Sequence, residues 1–504
     1  VTGVRTEKVD VLIVGSGAGG GVVAQALAPL VAQGLRVVLV DRGGRFAPGD
    51  NTRREVEMAG RYYVANGGFQ TSTQDMTLAF ANAVGGSTNV YTGVTFEPPD
   101  HVLDKWAVPG LTADDLRPRS ARYLAENNVH LQPEANINRN NRLFAEACRA
   151  LGWDLGQFPL NLRDCGGLNT CNVGCARGAK QGTAQVQIPA AEKLGVEVIP
   201  FCDVQRLEGT TAIAEVLPAR HGLKPAPWPV GPVRIEARRV VLAGGTMASP
   251  PLLMRSYADW ERRWPALGRW FTCHPALTLV ADHPERVDGA VGHPKSYYCD
   301  RFSDARRFLL ETCFYFPFTT AKNLVGFGPA VDELMSRVAF QQQILVLVLD
   351  KAMRDNRIAI DKNGNPVAHY DLSAPYLRRA FVESIRAAGR IFFAAGATRA
   401  HLPAAGRFFT PAADAGRLDA LVREDLFKLG QVAISAAHLM GGCRMGVDRA
   451  TSVTDPHGRV HDLPGVYVAD SSLFPDSVEV NPYLTIMALA DRVAEAVRGD
   501  LAAG

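Results

Sequence analysis

Val9 to Val14 (VDVLIV) runs straight into Gly-Ser-Gly-Ala-Gly-Gly, and no other junction restricts this chain so tightly. A short apolar run of this kind is the form of a strand covered on both faces. Gly15, Gly17 and Gly20 stand at G-x-G-x-x-G spacing, and Ala24, Ala26, Leu27 and Leu30 follow with helical apolar periodicity. A second apolar run, Leu35 to Val40, ends at Asp41, 21 residues after Gly20. Strand, glycine turn, helix, strand and acidic residue together predict a dinucleotide site. The backbone at Gly15, Gly17, Ala18 and Gly20 would approach the pyrophosphate, and the helix N-terminus would favour its negative charge. Asp41 would accept ribose hydroxyls, with Arg42 beside it. The motif alone does not separate NAD from FAD.

Composition narrows the class. At 504 residues the chain exceeds one ordinary core, so two or three folding units are expected. Hydrophobic residues at 47% and charged residues at 21% exclude wholesale disorder. The 54 basic residues nearly cancel the 51 acidic ones, and no basic stripe stands out, which argues against a nucleic-acid partner. The longest clean apolar run, Ile344 to Leu349, is far short of the ~20 residues a bilayer requires, so no integral membrane segment is expected. Residues 1–8 lack a secretory pattern. Nine scattered cysteines, an odd count, suit a reducing compartment or a metal cluster better than a disulfide framework, and a cytoplasmic location is expected, with periplasmic export alongside a partner subunit as the alternative.

Three later segments speak for flavin. In AVGGSTNVYTG (83–93), Gly85 and Gly86 precede Ser87, Thr88 and Asn89, small groups able to wrap a phosphate or a ring edge. Val240 to Ala243 reads as a strand leading through GGTMASPPLLMRS into a helix, with Ser249 as cap and Pro250 in its first turn. The GVYVADS stretch at 465–471 is a strand ending at Asp470 and Ser471, and NPYLTIMALADRVAEAV (481–497) is an apolar-periodic helix. Asn481 is its expected cap and Pro482 its first-turn residue. The N-terminus of such a helix would set positive partial charge where a reduced flavin gathers negative charge.

In order along the chain, GSGAGG (15–20), GGSTN (85–89), GTMASPPLLMRS (245–256), HLMGGCRMG (438–446) and VYVADSSLFPDSVEVNPYLTIMALA (466–490) resemble the glucose-methanol-choline flavoprotein oxidoreductases. Within that family the C-terminal block is most similar to cholesterol oxidases and to long-chain or polyol alcohol dehydrogenases. Tyr257 departs from the pattern, since the family usually has glycine there. The resemblance implies a mixed α/β fold: a Rossmann-like FAD-binding domain interleaved with a substrate domain whose antiparallel sheet is backed by helices. Residues 1–130, 180–285 and 430–504 would form the flavin domain, and 131–179 with 286–429 the substrate domain.

The implied chemistry is oxidation of an alcohol to an aldehyde or ketone, with hydride passing to flavin N5. His438 is the expected general base, because imidazole titrates near neutrality without tuning. Asn481 matches the second active-site position and would orient the substrate oxygen. His274 resembles a recurring family segment and is assigned a structural role, and His101 would border the substrate entrance. No histidine stands in 85–93 to bond the flavin, so FAD is expected to be noncovalent. By the same resemblance, Gly86, Ser87 and Asn89 would lie along the cofactor. Asp470 and Ser471 would stand near its ribityl end, Val204 at the adenine, and Pro482 and Tyr483 at the ring. A hydroxynitrile-lyase type of lyase on the same FAD scaffold is the alternative.

Cys165, Cys171 and Cys175 stand at C-x5-C-x3-C spacing among glycines. Three thiolates could hold zinc or an iron–sulfur cluster, or the three could stand as free thiols in a glycine-rich loop. The spacing resembles flavin subunits of bacterial sugar dehydrogenases, where three cysteines carry a 3Fe-4S cluster. Such a cluster would favour a dehydrogenase passing electrons to an acceptor protein or quinone. The aromatics Tyr297, Tyr298, Phe314, Tyr315, Phe316 and Phe318 fall where relatives build the substrate wall, as suits an apolar or ring-shaped alcohol.

Overall fold

The computed structural model describes residues 4–503, and its two large sheets share one cavity. In the first sheet, the strand Arg5–Val14 pairs in parallel with Val37–Val40 on one side and with Gly231–Leu242 on the other. Beyond Val37–Val40 lies Glu197–Ile199, again parallel. Parallel neighbours need a crossover, and helix Ala18–Leu27 supplies the first one. Val37–Val40 is buried at every position, as a strand covered on both faces must be.

Gly231–Leu242 serves two partners in succession. Its first half pairs antiparallel with Thr211–Val216, which continues to Cys202–Glu208. Its last three residues pair in parallel with Val466–Val468. Strands from early and late in the sequence therefore meet in one sheet, and helix Tyr483–Ala502 packs against Ala18–Leu27.

Antiparallel pairing dominates the second sheet. Ala276–Asp282, Gln341–Val348, Phe308–Thr312, Tyr297–Cys299 and Gly156–Gln157 lie side by side in that order. On the other side of Ala276–Asp282 come Ile434–Ala436, Met76–Leu78 and Phe69–Gln70. Strand alternation gives this sheet two different faces. Phe308, Leu310, Ile344 and Val346 are buried with Leu377, Phe381 and Ile385 of helix Pro375–Ala394. Ala276, Leu345 and Leu347 face the cavity instead.

Four strands of this second sheet, Phe69–Gln70, Met76–Leu78, Ala276–Asp282 and Ile434–Ala436, come from segments that sequence division placed on the flavin side. The aromatic run at 308–318 also differs from a simple strand. Pairing stops at Thr312, and Pro317 opens a helix to Asn323, because proline lacks the N–H a ladder needs and suits a first helical turn. The DKNGNP segment does turn: it joins Arg357–Ile360 to Pro366–His369, and Asp361 Oδ1 accepts from the backbone N–H of Asn363 and Asn365.

Candidate active site

A single cavity of about 560 Å³ runs from the glycine turn after Arg5–Val14 to His438. Its glycines do different work. Gly15 has φ +100°, and a Cβ there would lie 2.5 Å from the carbonyl oxygen of Ala243. A Cβ on Gly19 would fall inside the carbonyl of Ala469, and one on Gly20 inside that of Gly15. Gly20 thus sets backbone packing and does not line the cavity, which corrects its expected cofactor contact. Gly17 is the contrary case. A Cβ there would meet nothing nearer than Gly86 Cα at 4.0 Å, so the protein itself does not demand glycine at 17. The empty space at Gly17 opens on the cavity, as a cradle for pyrophosphate requires.

Asp41 is buried at the cavity wall. Its Oδ2 accepts from Ser16 N at 3.0 Å and Ser16 Oγ at 2.5 Å, and its Oδ1 from Gly43 N at 2.8 Å. Burial pushes its pKa up to about 6 despite these donors. Ser16 Oγ also accepts from Gly85 N at 2.8 Å, tying the second glycine pair to the first turn. Ala18, Arg42, Gly86, Ser87 and Val204 line the cavity. Asn89 does not: its amide donates to Val84 O and Gly86 O, so it holds the turn instead of reaching a ligand.

Asp470 borders the cavity, yet its carboxylate is fully engaged. Gly245 N and Ser249 Oγ donate to Oδ2, while Ser472 N and Oγ donate to Oδ1. It ties the 245–249 turn to its own 470–472 turn, and burial raises its pKa. Ser249 lies inside its helix, where its hydroxyl serves Asp470 and Gly244 N in place of capping. That helix ends with extended backbone at Tyr257, so the glycine usual in relatives is not needed.

His438, Asn481 and His274 converge at the far end. Asn481 Nδ2 is 3.3 Å from His438 Nε2, and His438 Nδ1 is 3.1 Å from His274 Nδ1. His274 Nε2 is 2.7 Å from Ser477 Oγ. Asn481 precedes the helix and does not cap it; Pro482 occupies the cap position, and Tyr483 begins the helix. If Asn481 donates to Nε2, the tautomers of the whole chain follow. His438 Nδ1–H donates to His274 Nδ1, and His274 Nε2–H donates to Ser477, leaving both rings neutral. Burial, then His274 and Lys295, holds the His438 pKa well below the ordinary histidine value. Burial also lowers that of His274.

His274 is therefore a site residue, against the structural role its sequence suggested. It is set by a left-handed backbone (φ +49°) and by Asp350, which accepts from Thr272 Oγ1, Cys273 N and His274 N. Sequence reasoning also missed Lys295 and Glu311, a buried ion pair on the cavity wall. Nothing near either residue forms a motif. Their signal was a lysine and a glutamate in otherwise apolar strand-rich sequence.

The wall holds Phe314, Tyr315, Phe316 and Phe318 but not Tyr297 or Tyr298, whose rings pack elsewhere. His101 is exposed beside Glu479 and does not border the cavity. Among the described residues, no group of three or more His, Cys, Asp or Glu is placed to hold a metal ion. Cys165, Cys171 and Cys175 are free thiols, and burial raises the pKa of the first two, keeping them protonated. Lys180 organises the loop: its buried Nζ donates to the carbonyls of Asn89, Tyr91 and Cys171, each at 2.7 Å.

The sequence pattern described as GMC oxidoreductase matches residues 9–276 in its N-terminal part and 353–490 in its C-terminal part. The chain belongs to the GMC oxidoreductase family. An uncharacterised GMC-type oxidoreductase of Mycobacterium tuberculosis is 29% identical over 97% of this chain and 75% of its own length. Paromamine 6'-oxidase of Streptomyces fradiae is 27% identical over 98% and 92%. Long-chain-alcohol oxidase FAO4B of Arabidopsis thaliana is 25% identical over 96% and 66%. Among solved structures, a pyridoxine 4-oxidase (Mesorbium loti) superposes with TM-score 0.71 at 18% identity, covering 97% of this chain and 99% of that one. A formate oxidase gives TM-score 0.73 at 14% identity, covering 99% of each. These GMC enzymes share the Rossmann-like flavin fold, and this GMC protein is a flavin-dependent oxidoreductase. No helix among its described residues is long and apolar enough to cross a membrane.

Proposed function

We propose that the protein binds FAD noncovalently along the cavity and oxidises a small alcohol to an aldehyde or ketone. The observation that carries this is the long Asn481–His438 contact at the cavity end, with Asn481 Oδ1 buried and unpartnered among the described residues. Asn481 Nδ2 as donor and His438 Nε2 as acceptor are spaced to grip one hydroxyl between them. The residues present fit FAD: Gly17 leaves space at the turn, Asp41 is ready for ribose, and the start of helix Tyr483–Ala502 faces the ring end. When bound, FAD supplies the acceptor for the hydride leaving the carbinol carbon.

The 3.3 Å contact between Asn481 and His438 opens around a hydroxyl oxygen. That hydroxyl donates to His438 Nε2 and accepts from Asn481 Nδ2, so its C–H bond is fixed in direction. The neutral ring takes the O–H proton at Nε2, while His274 holds the ring through Nδ1. The carbon–oxygen double bond forms as the C–H pair departs. Depressed basicity keeps His438 in its proton-accepting form throughout the neutral range.

An anaerobic panel of alcohols mixed with the yellow holoenzyme tests this. Bleaching of the flavin by at least one carbinol is expected, and admission of air then separates an oxidase from a dehydrogenase. A flavin that stays oxidised through the panel while the protein cleaves a cyanohydrin would replace this reading with lyase chemistry.

A further inference from the structure

The cavity-side face of the second sheet carries Ala276, Leu345 and Leu347, and into this aliphatic surface the chain sets Glu311. Glu311 stands opposite Leu345 in the ladder and is fully buried, and Lys295 is 5% exposed. Lys295 Nζ pairs with Glu311 Oε2 and lies 5.4 Å from the centre of the Phe158 ring. Both side chains line the same cavity as His438 and Asn481.

Stability does not account for this pair. Burying two charges costs solvation that their attraction only partly returns, and an apolar pair of similar volume is often as stable or more so. Moreover, only one carboxylate oxygen is used. Glu311 Oε1 is buried and has no partner among the described residues. A carboxylate offers about four acceptor positions, and leaving an oxygen without a donor is costly in an apolar wall.

We infer that Glu311 Oε1, positioned by the ion pair that Oε2 makes with Lys295, is a specificity-determining acceptor for a second hydrogen-bond donor, hydroxyl or ammonium, on the alcohol whose carbinol meets His438. Diols, polyols and amino alcohols would be favoured over plain alkanols of the same length. This deepens the proposed alcohol oxidation and rests on it for the position of the carbinol. A site built around a donor rejects the analogue that lacks it far more strongly than an apolar pocket rejects a misfit, since the unmet acceptor stays buried.

The test titrates holoenzyme anaerobically with a diol, an amino alcohol and an alkanol matched in chain length. Perturbation of the flavin absorbance reads binding, and bleaching reads reduction. At least one donor-bearing ligand is expected to bind ~100-fold tighter than the alkanol. Glu311→Gln keeps an acceptor but loses the charge, so it should cut an ammonium preference more than a hydroxyl one. Lys295→Met with Glu311→Leu should bring the ratio near one. Equal binding of all three ligands by the wild type overturns the inference, whether or not the variants fold, and so does a folded double variant that keeps the preference. Tighter binding of donor-bearing ligands with no bleaching by any alcohol would leave the acceptor standing and overturn the oxidation reading.

Discussion

His438 Nδ1 lies 3.1 Å from His274 Nδ1, so the ring expected to take a substrate proton is itself held by a second buried imidazole. The pairing constrains both tautomer and charge, because two protonated rings would repel at that distance. A base works only when deprotonated, so flavin reduction falls as pH drops through the His438 pKa. That pKa lies well below 6.5. The reduction rate should therefore be flat from neutral pH to below 6.5 before it declines. His274→Gln removes one of the depressing influences and should move this acid limb upward, as measured by stopped-flow reduction across pH. His438→Ala should retain bound flavin and lose ~10²–10⁴-fold in reduction rate.

Asn481 acts on orientation. Asn481→Leu should keep FAD and lower kcat/KM about 10-fold, an effect of ~1.4 kcal/mol appropriate to one lost hydrogen bond. A loss as large as that of His438→Ala would show the amide to be part of the proton transfer.

The two glycines of the first turn should separate fold from ligand. Gly17 has φ −63° and open space at its Cβ position, so Gly17→Ala should leave the flavin-free protein within ~0.5 kcal/mol of wild type while weakening FAD binding. Gly19→Ala drives a methyl into the backbone of Ala469 and should lower both. Thermal unfolding of the flavin-free forms and FAD titration check the pair.

Asp41 predicts a second pH effect. Its folded pKa, about 6, exceeds the ordinary aspartate value of 3.8, so its protonated form favours the folded flavin-free protein. That contribution is complete below pH 3.8 and is lost as pH rises through about 6. Ribose hydroxyls need the ionised acceptor, so FAD affinity should strengthen through the same interval. Asp41→Asn should flatten the profile and weaken binding ~10-fold at neutral pH.

The nucleotide half of the site was legible because its geometry is local. Residues 9–41 carry strand, turn, helix and acid in sequence, and the structure assembles them in that order. The pairing of His438 with Asn481 was also readable, since both belong to recognisable C-terminal blocks. What escaped was built by strand pairing across distant segments. His274 reaches His438 only because Ala276–Asp282 lies beside Ile434–Ala436. Lys295 and Glu311 meet through the sheet edge near Tyr297–Cys299 and Phe308–Thr312. The cysteine spacing left two readings open because proximity in sequence does not decide whether three thiols turn toward one point. Asn89 and Gly20 fit a motif whose residue types serve the turn as well as the ligand.

Gly19 sits against the carbonyl of Ala469, just beyond the last strand of the first sheet, Val466–Val468. The glycine turn is thus walled by a segment that lies far later in the sequence. A chain made only as far as the second sheet holds the glycine loop without its back wall, so cofactor capture must await synthesis of the segment through Ala469. Truncation before Val466 would leave a flavin-blind protein however well its amino-terminal half were made.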